Sequence, residues 1–488
     1  MSNTILEMRM NVLLHEIKIC IHVFFINSKF VADGILYKTY YTALMFKRKM
    51  YQKLQSWKAE FGGRYALLIE GPRRVGKTTI ITEFVSKEYE SYIMIDFSRP
   101  FKRVKSIFED YGNDLDSMFV YLQQEFRVKL HPRRSAIVFD EVQNYPMARQ
   151  MIKHLVADGR FDYYETGSLI SIRQNIKDIV IPSEEMSLRM DPMDFEEYLW
   201  ANGDEVTMPL VREFFEQRKP LGPAHQNVMR KFREYMLVGG MPQAVSAFLE
   251  GGSFDDAEIV KRNIIKLYED DAEKAPGGLG PKVASILRGL PSSLTHHDKT
   301  FSPSEIKEGS ATRDHMSAVS WLVQSRMVNI CRCCSNPGPA MALDLLEYSF
   351  KLYMNDTGLL VSMALRYNIG DPDKIYNDII YGRLSINQGM FFENAVAQAL
   401  CSSGHELVFS KFKADGSARL HEVDFLLSEN RKLIPIEVKS GYSRAHKSLD
   451  AFTEKYSKGL GDIFVIHGKD LVVDGRVTYI PIYMAMLL

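Results

Sequence analysis

Cysteine is scarce in this chain: five residues among 488, irregularly spaced. That excludes a disulfide framework and fits a reducing, cytoplasmic setting. Cys331, Cys333 and Cys334 cluster, but no second Cys or His pair follows at finger-like spacing, so no zinc module is expected. Net charge is missing too. Lys plus Arg and Asp plus Glu both number 61. The chain as a whole is therefore not a strongly basic nucleic-acid binder, although a basic face can hide in a neutral total. No uninterrupted apolar run reaches the roughly twenty residues of a membrane span. The apolar N-terminal stretch is broken by His15, Glu16, Lys18, His22 and Lys29, and its start lacks the basic residues of a secretion signal. No membrane association is expected. Residues 1–44 read as an extension from an upstream start codon, because globular patterning begins near Met45.

What is present is an ordinary globular balance, 46% hydrophobic and 25% charged, in a chain long enough for about two to four domains. The strongest signal is YALLIEGPRRVGKTTIITEFVSK. An apolar strand, Tyr65 to Glu70, runs into Gly71-Pro72-Arg73-Arg74-Val75-Gly76-Lys77-Thr78-Thr79, and a helix with Ile80, Ile81 and Phe84 on one side follows. Strand, glycine loop and helix together define a phosphate-binding loop. Gly71 and Gly76 let backbone amides close around phosphates, and the helix N-terminus adds partial positive charge. Lys77 is expected on the β/γ-phosphates of ATP, and the Thr78 hydroxyl on Mg²⁺.

A second apolar strand, Ala136 to Phe139, ends in Asp140-Glu141. A carboxylate at a strand end can hold Mg²⁺, and the adjacent Glu141 can orient or deprotonate the attacking water. Between the two motifs a strand ends near Asp96. After them, DYYETGSLIS carries Thr166, Gly167 and Ser168, where Ser168 is either a γ-phosphate sensor or part of a simple turn. Strands alternating with helices imply a parallel sheet with nucleotide at the strand C-termini.

GPRRVGKTT, IVFDEVQ and TGS, followed by MSLRMDPMDFEEYLWANG, resemble the AAA-type ATPases of bacteria and archaea that carry a C-terminal domain of unknown function. REYMLVGGMPQAV, KRNIIKLYEDDAEK and FKLYMNDTGLL fit the same resemblance, which runs from about Met45 to the C-terminus. Gly239, Gly240 and Pro242 read as a turn closing the ATPase lid. Residues 278–335 read as three helices and a strand, the order of a winged helix; the resemblance implies one too. Arg313, Asp314 and His315 give its third helix no dense basic face, so it is either a DNA contact or a protein–protein spacer.

Near the C-terminus, NQGMFFENAVAQAL is a helix whose only charge is Glu393. EVDFLL is a strand carrying Asp424, and LIPIEVKS a partner strand carrying Glu437 and Lys439. Residues two apart share a strand face, so Glu437 and Lys439 point the same way while Ile434, Ile436 and Val438 take the other face. Asp424 and Glu437 suit a hard divalent metal, and the carbonyl of Val438 can add a ligand. Lys439 can activate bound water or stabilise developing charge. Glu393 is either a further ligand or an acid on the edge of a solvated face. The pattern resembles the PD-(D/E)XK nuclease superfamily, although Val423 stands where a proline precedes the family's aspartate. The other reading is a partly buried ion pair in a docking module.

The expected fold class is α/β and multidomain: an extension (1–44), a P-loop parallel sheet (45–205), a helical lid (206–277), a winged helix (278–340) and a nuclease-like α/β unit (341–488). The expected function is ATP hydrolysis with Mg²⁺, coupled to a DNA-processing unit. The alternative is a nucleotide-dependent switch whose last unit only binds a partner, a separate protein or a second copy of the chain. No arginine finger is identifiable.

Overall fold

The computed structural model describes residues 46–99, 101–167, 183–305, 309–367, 371–381, 388–414, 419–440 and 446–488. The expected extension and Ser168 lie outside these residues. The described chain is a mixed α/β structure with three sheets.

The first sheet holds β1 (Ala66–Glu70), β2 (Ser91–Asp96), β3 (Ser135–Asp140), β4 (Asp162–Gly167) and β5 (Glu185–Arg189), in the order β2-β3-β4-β1-β5. Every pairing is parallel. Parallel strands need crossover helices on the faces, and strands covered on both faces become continuously apolar. β1 is buried at every position. On one face the helix Lys77–Glu88 buries Ile80, Ile81, Phe84 and Val85 against Leu67, Ile69 and Tyr164. On the other, the helix Pro146–Asp158 packs Ile152 and Leu155 against Ile137, Phe139 and Tyr163. This is the core of a P-loop nucleotide-binding fold.

Downstream, six helices run from Phe195 to Ser293. Their apolar residues belong to a single cluster that extends from Met193 to Ala485, so the helical, middle and C-terminal segments share one core. The Gly239-Gly240 turn expected to close the lid sits against the start of the helix Thr357–Ala364. Gly240 N–H donates to Asp356 Oδ2 at 2.6 Å. A Cβ on Gly358 would lie 2.5 Å from the Gly239 backbone, so glycine there is a matter of space.

The middle segment departs from expectation. Its described residues hold two α-helices, Gly280–Ser293 and Met316–Gln324, with 3₁₀ turns at Pro303–Glu305 and Thr312–His315 between them. Residues 306–308 of the expected second helix lie outside the described residues. β6 (Val328–Cys334) then pairs antiparallel with β7 (Leu345–Met354), so position 340 falls inside a hairpin.

β6 also pairs in parallel with β8 (Leu407–Lys413), which pairs with β9 (Leu420–Val423), giving the sheet β7-β6-β8-β9. β10 (Phe425–Glu429), β11 (Lys432–Val438), β12 (Ile463–His467), β13 (Val472–Asp474) and β14 (Val477–Pro481) form the third sheet, ordered β10-β11-β12-β14-β13. The single strand expected around Asp424 is thus two strands, β9 and β10, in different sheets, with Asp424 at the break. Between β11 and β12 the chain crosses over through the helix Lys447–Lys455, which is why that pair is parallel.

Candidate functional site

The phosphate-binding loop leaves β1 at Glu70 and enters its helix at Gly76, whose φ of 98° only glycine adopts without strain. Lys77 is buried. Its Nζ donates to the carbonyls of Gly71 and Pro72 at 2.9 and 3.0 Å. Burial lowers its pKa to about 8, against the opposing pull of Glu141 and Asp140. Thr78 Oγ1 donates to Asp140 Oδ1 at 2.8 Å. Thr166 Oγ1 donates to the same oxygen, so the strand-end threonine orients the acid. Burial raises the Asp140 pKa, while Thr166 and Thr78 oppose the rise.

Glu141 is held at φ 54°, the left-handed region that non-glycine residues rarely occupy. Its backbone N–H donates to Thr166 Oγ1 at 3.3 Å and its carboxylate accepts from Gln143 Nε2. The structure therefore places Lys77, Thr78, Asp140 and Glu141 at one end of the sheet.

The loop arginine Arg73 has partners that the sequence did not disclose. Arg73 Nη1 donates to both Asp271 oxygens, at 2.8 and 3.0 Å, and Tyr268 Oη donates to the Arg73 carbonyl at 3.2 Å. Both partners belong to the long helix Phe254–Glu273. Arg326, in the turn before β6, donates to Glu70 Oε2 at 3.0 Å. Arg48 Nη1 donates to the Val75 carbonyl at 3.1 Å. Arg74 has a positive φ of 68°. The loop is thus tied to segments before and after it in the chain.

The C-terminal candidates assemble differently. Asp424 Oδ2 accepts from the Val438 N–H at 2.8 Å. Glu437 is buried; its Oε1 accepts from Lys439 at 2.6 Å, and its Oε2 has no hydrogen-bond partner among the described residues. Burial first, then Glu393, raises the Asp424 pKa to about 7.

Glu393 is not on the edge of a solvated face. It is 3% exposed. Its Oε1 takes Tyr353 Oη at 2.5 Å and Lys351 Nζ at 3.2 Å, and its Oε2 takes Lys299. Those two ammonium groups hold its pKa down at about 2 despite burial. The same Lys351 lies 2.7 Å from Glu422 and 4.0 Å from Asp424. Among the described residues, the cluster of three metal-capable side chains within 4.8 Å is Asp255, Asp371 and Asp373. Glu393, Asp424 and Glu437 do not converge in that way. Sequence reading missed Lys351, Lys299 and Glu422, since nothing local marks a lysine on a strand as buried.

A family model described as an AAA domain matches residues 63–199. Two models of domains of unknown function, DUF8612 and DUF4143, match residues 229–369 and 388–484. No curated protein matches the chain. Among solved structures, one that it is similar to is a signal-transduction ATPase with numerous domains and a tetratricopeptide repeat sensor from Pyrococcus horikoshii. Identity is 13% and the TM-score 0.27, over 73% of this chain and 48% of that one; the chain spans about half of that structure's length. Cdc6p from Pyrobaculum aerophilum is another, at 12% identity and a TM-score of 0.21, over 69% of this chain and 94% of that one. TM-scores this low carry no argument. The AAA-domain match over residues 63–199 and the strand–loop–helix geometry agree on a P-loop domain of AAA type. No helix among the described residues is long and apolar enough to cross a membrane.

Proposed function

We propose that the protein binds ATP with Mg²⁺, hydrolyses it, and passes its nucleotide state to the segments downstream. The observation that carries this reading is the bond between Thr78 and Asp140, beside buried Lys77. A hydroxyl and a carboxylate oxygen, already together, fit a small hard cation that prefers oxygen ligands. Mg²⁺ would supply charge neutralisation between the β- and γ-phosphates. The backbone from Gly71 to Gly76, with Thr79, cradles the phosphates. Lys77 exchanges its loop carbonyls for phosphate oxygens. Glu141 orients or deprotonates water. Arg73, through Asp271 and Tyr268, and Glu70, through Arg326, give the downstream segments direct contacts with the loop.

Lys77→Ala is expected to abolish ATP turnover; undiminished turnover would overturn this reading.

The division of the chain into P-loop domain, helical lid, middle segment and nuclease-like unit belongs to the same proposal, as does a cytoplasmic setting, which the four free, buried cysteines among the described residues support. DNA is the candidate partner of the middle and C-terminal segments; a separate protein or a second copy of the chain is the other. Two roles are open to the C-terminal unit. Either Asp424, Glu437 and Lys439 cleave DNA with a divalent metal, or the unit binds a partner without cutting. Plasmid and linear DNA incubated with Mg²⁺ or Mn²⁺, with and without ATP, separate them. Cleavage by the wild type that Lys439→Ala loses establishes the first; equal, background-level cleavage establishes the second.

A further inference from the structure

The acidic cluster of the C-terminal unit contains its own counter-charge. Glu393, Glu422, Asp424, Glu437 and Asp298 face Lys299, Lys351, Lys411 and Lys439, five carboxylates against four ammonium groups, with Lys411 held chiefly by Asp298. A divalent metal site needs an excess of negative charge, because the ion must be repaid for the water it gives up. Here the excess is a single charge, less than a divalent ion carries. Adding a doubly charged ion would place it near a lysine that cannot retreat into solvent.

Lys351 is the reason. Its side chain is 0% exposed. Its ammonium lies within 4.0 Å of three carboxylates contributed by three different elements, Glu393 from the helix Gln388–Ser402, Glu422 from β9 and Asp424 from the β9–β10 break. It also sits 4.9 Å over the Phe409 ring, a favourable place for a cation. Its backbone is locked in register: Lys351 is opposite Cys331 on β6, and Cys331 is opposite Leu407 on β8. Lys351 stands on β7, the edge strand, but its backbone is fixed by pairing with β6 at the residues on both sides of it, so it cannot swing away as a loop residue can. Asp424 is left with one oxygen on the Val438 N–H and the other toward Lys351.

We propose that Lys351 is the resident cation of this cluster, standing in for a divalent metal, so that the C-terminal unit engages its partner metal-free and does not cut phosphodiester bonds. The inference rests on the C-terminal site and selects between the two roles set out above. It is independent of the ATPase reading, which Lys77→Ala tests separately.

The experiment uses the full chain without nucleotide, titrated with Mn²⁺ alone. Bound ion is read by electron paramagnetic resonance and folding by circular dichroism. Wild type and Asp424→Asn are expected to bind the same number of Mn²⁺ ions, since the ammonium excludes the ion from Asp424. Lys351→Met is expected to gain one ion, and Lys351→Met with Asp424→Asn to lose it again. One Asp424-dependent ion in the wild type would overturn the proposal, as would a folded Lys351→Met that gains none. Where Lys351→Met folds only in Mn²⁺, the ion has replaced the lysine and the proposal stands. Where it folds in neither condition, the comparison of wild type with Asp424→Asn decides, equal binding supporting the proposal.

Discussion

Thr78 and Asp140, 62 positions apart, share a hydrogen bond of 2.8 Å. That bond joins the start of a helix to the end of a strand two places across the sheet. It holds a hydroxyl and a carboxylate where a cation and the γ-phosphate would meet. Glu141 follows directly, with its backbone turned into the left-handed region. A residue held there costs roughly 1–3 kcal/mol, which the surrounding structure must offset. Glu141→Gln keeps the shape and removes the carboxylate proposed to activate water. It is expected to lower kcat about 10²–10⁴-fold while leaving ATP affinity near that of the wild type. Equilibrium nucleotide binding and single-turnover hydrolysis, measured on the same preparation, check both halves.

The Arg73–Asp271 pair is expected to matter for coupling and little for stability. The Arg73 side chain is 47% exposed, and an exposed ion pair contributes only about 0–1 kcal/mol. Asp271→Asn should therefore shift urea unfolding only slightly. It should, however, reduce the ATP-dependent protection of the helix Phe254–Glu273 in amide hydrogen exchange. Protection that is the same in variant and wild type would mean that this helix does not sense the loop through Arg73.

Glu165 predicts a pH dependence. It lies on β4, 0% exposed, with the nearest guanidinium contact to Arg149 at 3.8 Å. Burial, then Glu185, pushes its pKa well above the ordinary value. The fold accepts the neutral form. Its contribution is full below about pH 4.3, the ordinary glutamate value, and is lost as pH rises through the raised folded value. Between about pH 5 and about pH 8 the wild type should lose more stability than Glu165→Gln. Urea unfolding at both pH values measures the difference. Parallel losses in the two proteins would show that Glu165 is ionised in the fold.

The nucleotide site was legible because its parts are local. The phosphate loop is a continuous stretch whose glycines and lysine are fixed by backbone geometry, and Asp140 announces itself at the end of an apolar run. The C-terminal site was legible by half. Asp424, Glu437 and Lys439 stand out because charge interrupts apolar strands. Lys351 reaches Glu393 across 42 positions and Lys299 reaches it across 94, and no periodicity links such residues. The break at Asp424 was hidden as well, since EVDFLL reads as one strand whichever sheet its two ends join. β6 was legible as a strand, but not its place in the sheet. Its sequence shows a strand after a helix, as in a winged helix, but not that its far edge belongs to β8.

That far edge governs how the protein can be taken apart. β6 is an inner strand, with β7 on one side and β8 on the other. A fragment that begins at residue 341 would keep β7 and β8 but lose the strand between them. Both would then present unpaired backbone N–H and C=O groups, the template for aggregation. Expressed alone, such a fragment should be insoluble, whereas limited proteolysis of the intact chain should leave β6 through β9 together in one resistant piece.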